Sequence, residues 1–227
     1  MLAALAHIDA WVFDMDNTLY PASANLFAPV ERRMTDYIVR LTGLAEPEAA
    51  ALREGYFLEH GTTLAGLMAA HGVDPHDFLD YVHDVEMDVL EENAPLAALI
   101  AKLPGRKLVF TNGDLPYAER VLGRLGLGDS FEGVHDIHAM ALQPKPAASA
   151  YAGLCAAYGI DPARSLFADD MARNLAPAKV IGMTTLWIDN GSQQENSVLR
   201  PDGAHAFIDY TTADLTGWLA EILGDTV

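Results

Sequence analysis

The amino-acid sequence predicts an α/β protein: a doubly wound parallel sheet with an all-helical segment inserted after its first strand. Short, continuous apolar runs are typical of strands buried on both faces, and the chain has them at 8–13, 107–111, 165–169 and 183–189. After residue 95, segments of helical periodicity alternate with such runs, which favours helices on both faces of the sheet. Residues 25–92 show helical spacing and no convincing strand.

The elements are predicted in the following order. The first strand precedes four helices at 27–43, 46–61, 63–72 and 75–93. Gly43 and Gly61 end the first two of these, since glycine readily adopts the left-handed conformation that closes a helix. The remaining elements are a helix at 96–105, a strand at 107–111, a helix at 117–126, a short strand within 131–140, a helix at 147–159, a strand at 165–169, a helix at 172–182, a strand at 183–189, a short strand at 204–210 and a helix at 213–223.

This order divides the chain into two predicted domains. Residues 1–19 and 94–227 would form a Rossmann-like core domain, because their strands and helices alternate. Residues 20–93 would form a helical cap domain, because they carry four helices and interrupt the sheet after its first strand.

Composition limits the classes of partner. The chain has 227 residues, of which 51% are hydrophobic, so it can bury a sizeable core. Its formal net charge of −18 disfavours a nucleic acid polymer, because phosphate repulsion would not be offset over a broad surface. The chain has one cysteine, Cys155, and its first segment lacks the basic start of a signal peptide. It has no apolar run of membrane-spanning length, so a cytoplasmic protein without a membrane partner is predicted. We expect a monomer or homodimer.

Two acids follow the first strand directly. Asp14 and Asp16 lie two residues apart after an apolar run, in the sequence AWVFDMDNTLY. Like charges this close repel each other, and a hard cation such as Mg²⁺ between or beside them would offset that repulsion. The alternative is a turn or helix cap, for which aspartate is also well suited.

Other strand ends also carry polar groups. Thr111 ends the strand at 107–111, and Asn112 and Gly113 follow it; together they offer a hydroxyl and backbone amides to a phosphate group. Lys145, one of four lysines, stands between two prolines that would fix its backbone. Asp169 and Asp170 end the strand at 165–169. Ligands bind beyond the carboxyl ends of the strands in such sheets, so these groups are expected to meet there.

The four groups together resemble the motifs of the haloacid dehalogenase superfamily of phosphatases and phosphotransferases. The DxDxT motif corresponds to Asp14, Asp16 and Thr18, the second motif to Thr111, and the third to Lys145. The fourth, a pair of acids after a strand, corresponds to Asp169 and Asp170, and the helical segment is similar to the family's cap. Met171 departs from the small hydroxyl residue that many members have after these acids.

The resemblance implies a role for each of these residues. Asp14 would be the nucleophile that forms an aspartyl-phosphate, and Asp16 the general acid and base. Mg²⁺ would bind Asp14, the backbone carbonyl of Asp16, and Asp170, with Asp169 supporting the site. The phosphoryl oxygens of a small phosphomonoester substrate would be held by Thr111, Asn112, Gly113 and Lys145, with Thr18 a further candidate.

Other reactions of the superfamily remain alternatives. The dehalogenases lack the second aspartate of the first motif, which is present here as Asp16, because a halide needs no proton to leave. Phosphonate cleavage through a Schiff base would need a lysine in the cap, and residues 21–95 contain none. A sugar-phosphate phosphatase or a phosphomutase has the same motifs, and a non-catalytic phosphate-binding module would be expected to lack Asp14 or Lys145.

A narrower resemblance concerns the substrate. The sequences DMDNTLYPASANLF and EHGTTLAGLMAAHGVDP are similar to the pyrimidine 5'-nucleotidase branch, with His60 where that branch is expected to have tyrosine. This implies hydrolysis of nucleoside monophosphates such as UMP or CMP. Thr62 and Thr63 would contact the base or ribose, or else cap a helix. Tyr20 would stack on the base, or else be a packed aromatic near the hinge.

Overall fold

The computed structural model of the chain describes residues 3–192 and 206–225. In this part of the chain, the strands are β1 (Ala10–Phe13), β2 (Arg106–Phe110), β3 (Gly133–His135), β4 (Ser165–Asp169), β5 (Thr184–Ile188) and β6 (Tyr210–Thr212). The helices are α1 (Phe27–Thr42), α2 (Glu46–His60), α3 (Thr63–His71), α4 (Pro75–His83), α5 (Ala94–Lys102), α6 (Leu115–Arg124), α7 (Ala148–Tyr158), α8 (Ala172–Val180) and α9 (Leu215–Leu223).

The strands form one parallel sheet in the order β3-β2-β1-β4-β5-β6, which confirms the predicted α/β fold class. Strand β1 lies at the centre, where Val12 is opposite Leu108 of β2 and Phe167 of β4. All four residues of β1 are buried, as expected for a strand that is covered on both faces. Because the strands are parallel, the residues that follow β1, β2 and β4 meet at the same edge of the sheet.

Helices α1–α4 form the predicted cap segment between β1 and α5. Helix α1 packs against α2 and α4, and α2 packs against α3. The rings of Tyr37 in α1 and Phe78 in α4 meet edge to face, with centroids 5.1 Å apart. The division into a core at 1–19 and 94–227 and a cap at 20–93 stays a prediction.

The prediction of one helix over 75–93 is wrong, because α4 ends at His83. The backbone carbonyls of His83 and Val85 accept hydrogen bonds from the guanidinium group of Arg120 in α6, at 2.9 and 2.6 Å. A continuing helix would need these carbonyls for its own hydrogen bonds. The chain therefore leaves the helix and runs along α6.

The last predicted strand, at 204–210, is displaced. Its residues 204 and 205 lie outside the described part of the chain, and β6 begins only at Tyr210. The Thr185 hydroxyl donates to the carbonyl of Phe207 at 2.7 Å and accepts from the amide of Asp209 at 3.1 Å. These side-chain bonds take the place of strand pairing just before β6. Among the described residues, no helix has the length and apolar character needed to cross a lipid bilayer.

Candidate active site

Three carboxyl groups meet at the carboxyl edge of the sheet. Asp14 follows β1, and its amide donates to the carbonyl of Ala168 in β4 at 2.8 Å, so the pairing of the two strands continues to this residue. Asp169 ends β4 and Asp170 follows it. One carboxylate oxygen from each acid lies within 4.8 Å of the other two, and all three residues are buried. The two predicted acid motifs therefore share one site.

Lys145 lies against the same cluster. Its side chain is only 1% exposed, and its ammonium group donates to Oδ1 of Asp14 at 2.7 Å, Oδ2 of Asp169 at 2.8 Å and the carbonyl of Phe110 at 2.8 Å. An ammonium group has three donors, so all of them are satisfied. Because the amine is fixed in this way, Lys145 is oriented as well as charged.

The side chain of Asn112 holds the backbone of Lys145. Its Oδ1 accepts from the Lys145 amide at 2.8 Å, and its Nδ2 donates to the Lys145 carbonyl at 3.2 Å. Thr111 is buried beside it, and its hydroxyl oxygen accepts from the Gly113 amide at 3.0 Å. The structure thus brings the second and third motifs together.

Asp169 is already saturated with donors. Its Oδ1 accepts from the amide of Met171 at 2.7 Å, and the Asn174 side-chain amide lies 3.1 and 3.0 Å from its two oxygens. The Lys145 ammonium group adds a fourth contact. Met171, which departs from the family's small hydroxyl residue, thus still contributes a backbone hydrogen bond to Asp169, and Asp169 is suited to holding Lys145 rather than to binding a ligand directly.

Thr18 connects the first and fourth motifs. Its side chain is buried, and its hydroxyl oxygen accepts from the amide of Asp170 at 3.1 Å. The indole N–H of Trp187 in β5 donates to the carbonyl of Asp170 at 3.0 Å. Both groups of the Asp170 backbone are thus fixed, which directs its carboxyl group toward Asp14. Thr18, a predicted substrate contact, makes a structural hydrogen bond here.

The cluster holds more negative than positive charge. Burial raises the pKa of Asp14 to about 7, with Lys145 lowering it and Asp169 raising it further. The pKa of Asp170 is also raised well above its ordinary value, first by burial and then by Asp14 and Asp169. Burial lowers the pKa of Lys145, but the two facing carboxylates outweigh this and raise it, so the amine stays charged.

This donor set fits a divalent cation such as Mg²⁺. Such ions bind carboxylate and carbonyl oxygens, and a second positive charge would offset the excess negative charge of the three acids. Lys145 engages Oδ1 of Asp14, both oxygens of Asp169 hold hydrogen bonds, and the Asp170 carboxyl group has a side-chain hydrogen bond with Ser192. Each carboxylate has two oxygens, so Asp14 and Asp170 can each bind a cation beside these bonds.

Asp16 lies beside this cluster in a different environment. Its Oδ1 accepts hydrogen bonds from the hydroxyls of Tyr20 at 2.7 Å and Tyr117 at 2.8 Å. Burial raises the pKa of Asp16, while the two hydroxyl donors lower it in part. Sequence reasoning missed Tyr117. Its available signal was an aromatic residue in the first turn of the helix that follows Asn112 and Gly113.

Gly113 is what allows Tyr117 to reach this position. A Cβ atom on Gly113 would lie 3.1 Å from Cδ1 of the Tyr117 ring and 3.4 Å from the Thr111 hydroxyl. These distances are tighter than an ordinary van der Waals contact, so a larger residue would displace the ring or the hydroxyl. The role that the structure shows for Gly113 is thus close packing.

The predicted cap contacts have structural partners. Thr62 caps α3 by accepting from the Ala65 amide at 3.1 Å, and Thr63 is buried with its hydroxyl donating to the Arg53 carbonyl at 3.3 Å. Tyr20 is 3% exposed, so its ring is packed and has no free face for a base. For all three residues, the structure shows the helix-cap or packed alternative.

Arg173 in α8, which sequence reasoning also missed, joins the core to the α2–α3 turn. Its guanidinium group donates to the carbonyls of Phe57 at 3.4 Å and Gly61 at 3.0 Å. A cavity of about 460 Å³ lies beside this contact, lined in part by His60, Leu142 and Pro144. Neither Asp14 nor any other member of the acid cluster lines it, so the cavity is separate from the carboxyl groups.

Comparison with known proteins identifies the family. Residues 8–182 match the family model "haloacid dehalogenase-like hydrolase". Phosphate metabolism protein 8 of Saccharomyces cerevisiae is 29% identical over 138 residues, which are 56% of this chain and 42% of that protein. The chain thus spans less than half of the length of this curated relative.

Solved structures share the fold. A HAD phosphatase from Thermococcus onnurineus has a TM-score of 0.63 at 19% identity, covering 97% of this chain and 100% of that one. L-2-haloacid dehalogenase from Xanthobacter autotrophicus, with chloropropionic acid covalently bound, has a TM-score of 0.58 at 18% identity, covering 96% and 100%. The family model covers most of the chain, and the chain therefore belongs to the haloacid dehalogenase-like hydrolase family.

Proposed function

We propose that this hydrolase is a Mg²⁺-dependent phosphomonoesterase whose nucleophile is Asp14. The observation that carries the proposal is the second carboxyl group, Asp16, held beside the charged cluster by two tyrosine hydroxyls. An alkoxide leaving group needs a proton, whereas the halide lost in dehalogenation does not. The excess of buried acids also suits a cation that would screen the repulsion between Asp14 and an anionic ester.

In the first half-reaction, a carboxylate oxygen of Asp14 attacks the phosphorus atom of the substrate. The bond between phosphorus and the ester oxygen breaks as the new bond to Asp14 forms. Asp16 gives its proton to the departing oxygen, so that an alcohol leaves and an aspartyl-phosphate remains. Lys145, already bonded to Asp14, places a positive charge beside the oxygens of the transferred group.

In the second half-reaction, water attacks the phosphorus atom of the aspartyl-phosphate. The Asp16 carboxylate, now deprotonated, accepts a proton from that water. The bond between phosphorus and Asp14 breaks, which releases inorganic phosphate and restores both carboxyl groups. The Thr111 hydroxyl and the backbone amide of Asn112 would hold phosphoryl oxygens through both steps.

Mg²⁺, when bound, would supply charge neutralisation at the transferred phosphoryl group. Asp14, the backbone carbonyl of Asp16, and Asp170 would hold it. Asp169 would act indirectly, because its two oxygens already bind Lys145, Met171 and Asn174.

We place the substrate among pyrimidine nucleoside monophosphates such as UMP and CMP. The support is the sequence DNTLYP after the nucleophile and the segment EHGTTLAGL at the α2–α3 turn. The name of the yeast relative, Phosphate metabolism protein 8, is consistent with a phosphate substrate but does not indicate a nucleotide.

The test is a substrate panel with Mg²⁺ present and after its removal by a chelator. The panel contains p-nitrophenyl phosphate, UMP, CMP, AMP, glucose 6-phosphate and 2-chloropropionate, with release of phosphate or chloride measured. We expect Mg²⁺-dependent phosphate release, fastest from UMP or CMP. Release of chloride from 2-chloropropionate without release of phosphate from any ester would refute the assignment of phosphomonoesterase activity. A clear preference for glucose 6-phosphate would refute only the nucleotide assignment.

A further inference from the structure

One face of α6 holds the end of the predicted cap. Asp114 precedes the helix, and Tyr117, Arg120 and Arg124 follow at intervals of three and four residues, so they share a face. Arg120 binds the carbonyls of His83 and Val85, and Arg124 forms an ion pair with Asp88 at 3.1 Å. The chain between α4 and α5 is thus bound along this face.

Tyr117 belongs to that face and also reaches the site. Its ring stacks on the imidazole of His83 from α4, with centroids 4.1 Å apart and planes 12° from parallel. The Nδ1 atom of His83 is 2.6 Å from Oδ1 of Asp114, and both residues are buried. The His83 ring is therefore fixed from one edge by Asp114 and lies flat on Tyr117, whose hydroxyl donates to Asp16.

We propose that Tyr117 and Tyr20 are positioning residues that orient the Asp16 carboxyl group toward the leaving group. Because His83 of α4 stacks on Tyr117, this orientation depends on the docking of α4 against α6. The inference rests on the proposed function, because it assigns Asp16 the role of general acid.

The choice of oxygen supports this role. Both hydroxyls donate to Oδ1 of Asp16, and no side chain among the described residues donates to its Oδ2. Two donors from different directions on one oxygen fix the plane of the carboxyl group and leave the other oxygen for the substrate. Groups that orient a reacting side chain in this way commonly change rates by 10–100-fold.

The experiment measures leaving-group dependence. The variants Tyr117→Phe and Tyr20→Phe each remove one hydroxyl and keep the ring, and they are assayed with p-nitrophenyl phosphate, phenyl phosphate and UMP, whose leaving groups are increasingly basic. Because Asp16 also activates water in the second half-reaction, which all substrates share, the quantity compared is kcat/KM, which reports only the first half-reaction. We expect kcat/KM to fall about tenfold for UMP, less for phenyl phosphate and least for p-nitrophenyl phosphate. p-Nitrophenolate leaves readily without a proton, so it should not depend on the aim of Asp16.

Tyr56→Phe is the matched control. Tyr56 lies in α2, and its hydroxyl contacts Nε2 of His71 at 3.0 Å, away from the acid cluster. This variant should match the wild type with every substrate. Equal losses with all three substrates in both Tyr20→Phe and Tyr117→Phe would overturn the proposal, because a merely structural role affects them alike. If Tyr117→Phe does not fold, Tyr20→Phe alone decides the question by the same criterion.

The link to α4 is tested with His83. His83→Leu removes the stacked ring and the Asp114 contact, whereas His83→Phe restores a ring. We expect the same leaving-group pattern in His83→Leu and a smaller loss in His83→Phe. His76→Leu is the control, because His76 stacks on His138 from the other end of α4, at 4.6 Å, and touches neither tyrosine. The same selective loss in His76→Leu, or none in His83→Leu, would overturn the link.

These outcomes differ from a failure of the proposed function. If wild-type protein releases no phosphate from any of the three esters with Mg²⁺, the proposed phosphomonoesterase fails before any variant is compared. If it does release phosphate and the variants lose activity evenly, only the positioning role fails.

Discussion

Asp14 and Asp16 are two residues apart in sequence, yet their surroundings differ in kind. Asp14 is bonded to the ammonium group of Lys145 and lies among the carboxyl groups of Asp169 and Asp170 at the carboxyl edge of the sheet. Asp16 is bonded to two neutral hydroxyls, one of which is backed by His83 from α4. The full charge of Lys145 beside Asp14 favours its anionic form against the effect of burial, whereas neutral donors orient Asp16 and leave it able to give and take a proton.

The largest effect is expected from Asp14→Asn. The side chain keeps its shape, and its amide oxygen can still accept from Lys145, but the attacking carboxylate is lost. We expect turnover to fall by on the order of 10⁴-fold or more with every leaving group, with an unchanged circular dichroism spectrum. Exposed Asp129→Asn is the control and should keep full activity. Near-normal turnover by Asp14→Asn would disprove the covalent route.

Asp16→Asn should produce a selective loss instead. We expect kcat/KM for UMP to fall by about 10²–10⁴-fold, because its leaving oxygen needs a proton in the first half-reaction, and kcat/KM for p-nitrophenyl phosphate to fall much less. The ratio of kcat/KM values for the two substrates, measured in Asp14→Asn and Asp16→Asn side by side, checks the comparison directly. A ratio that stays at the wild-type value in Asp16→Asn would remove the distinction between the two acids.

The surroundings of Asp14 could be predicted from the sequence better than those of Asp16. The acid cluster was predictable because Asp14, Thr111 and Asp169 each end an apolar run, and parallel strands bring such ends to one edge. Lys145 lies in a loop, and its place was implied by family resemblance rather than by periodicity. The residues around Asp16 were harder to predict from the sequence. Tyr117 and His83 are 34 residues apart, in chain segments whose contact depends on how α4 docks.

The end of α4 shows why such docking was missed. Residues 84–93 continue the helical spacing of the segment before them, and that spacing predicted one helix over 75–93. Arg120, which is distant in sequence, binds the carbonyls at that point and ends the helix at His83. Tertiary hydrogen bonds of this kind override local preference and leave no trace in the spacing of apolar residues.

Asp170→Ala tests the charged surroundings of Asp14 through their affinity for Mg²⁺. The variant removes a carboxylate from the cluster while Thr18 and Trp187 still bind the backbone of residue 170. We expect the Mg²⁺ concentration for half-maximal activity to rise by more than about tenfold. Asp129→Ala is the matched surface control. An unchanged Mg²⁺ titration for Asp170→Ala would place the cation away from this cluster.

The smallest effect is expected at the contact between α4 and the start of α6, from Asp114→Asn, and it concerns stability. Burial raises the pKa of Asp114, but the hydrogen bond and charge of His83 and nearby backbone amides outweigh this, so its pKa lies below the ordinary 3.8. The unfolded chain then binds this proton more readily than the folded one, so the carboxylate stabilises the fold above pH 4 and this contribution disappears as pH falls through the folded-state pKa. At pH 6 we expect Asp114→Asn to lower the free energy of unfolding by about 1–2 kcal/mol in urea titrations. The difference in free energy of unfolding between Asp114→Asn and wild type should shrink toward pH 3. The exposed variant Asp129→Asn should not differ from wild type at either pH. If Asp114→Asn differs from wild type by the same amount at pH 6 and pH 3, the charge of Asp114 does not hold α4 against α6.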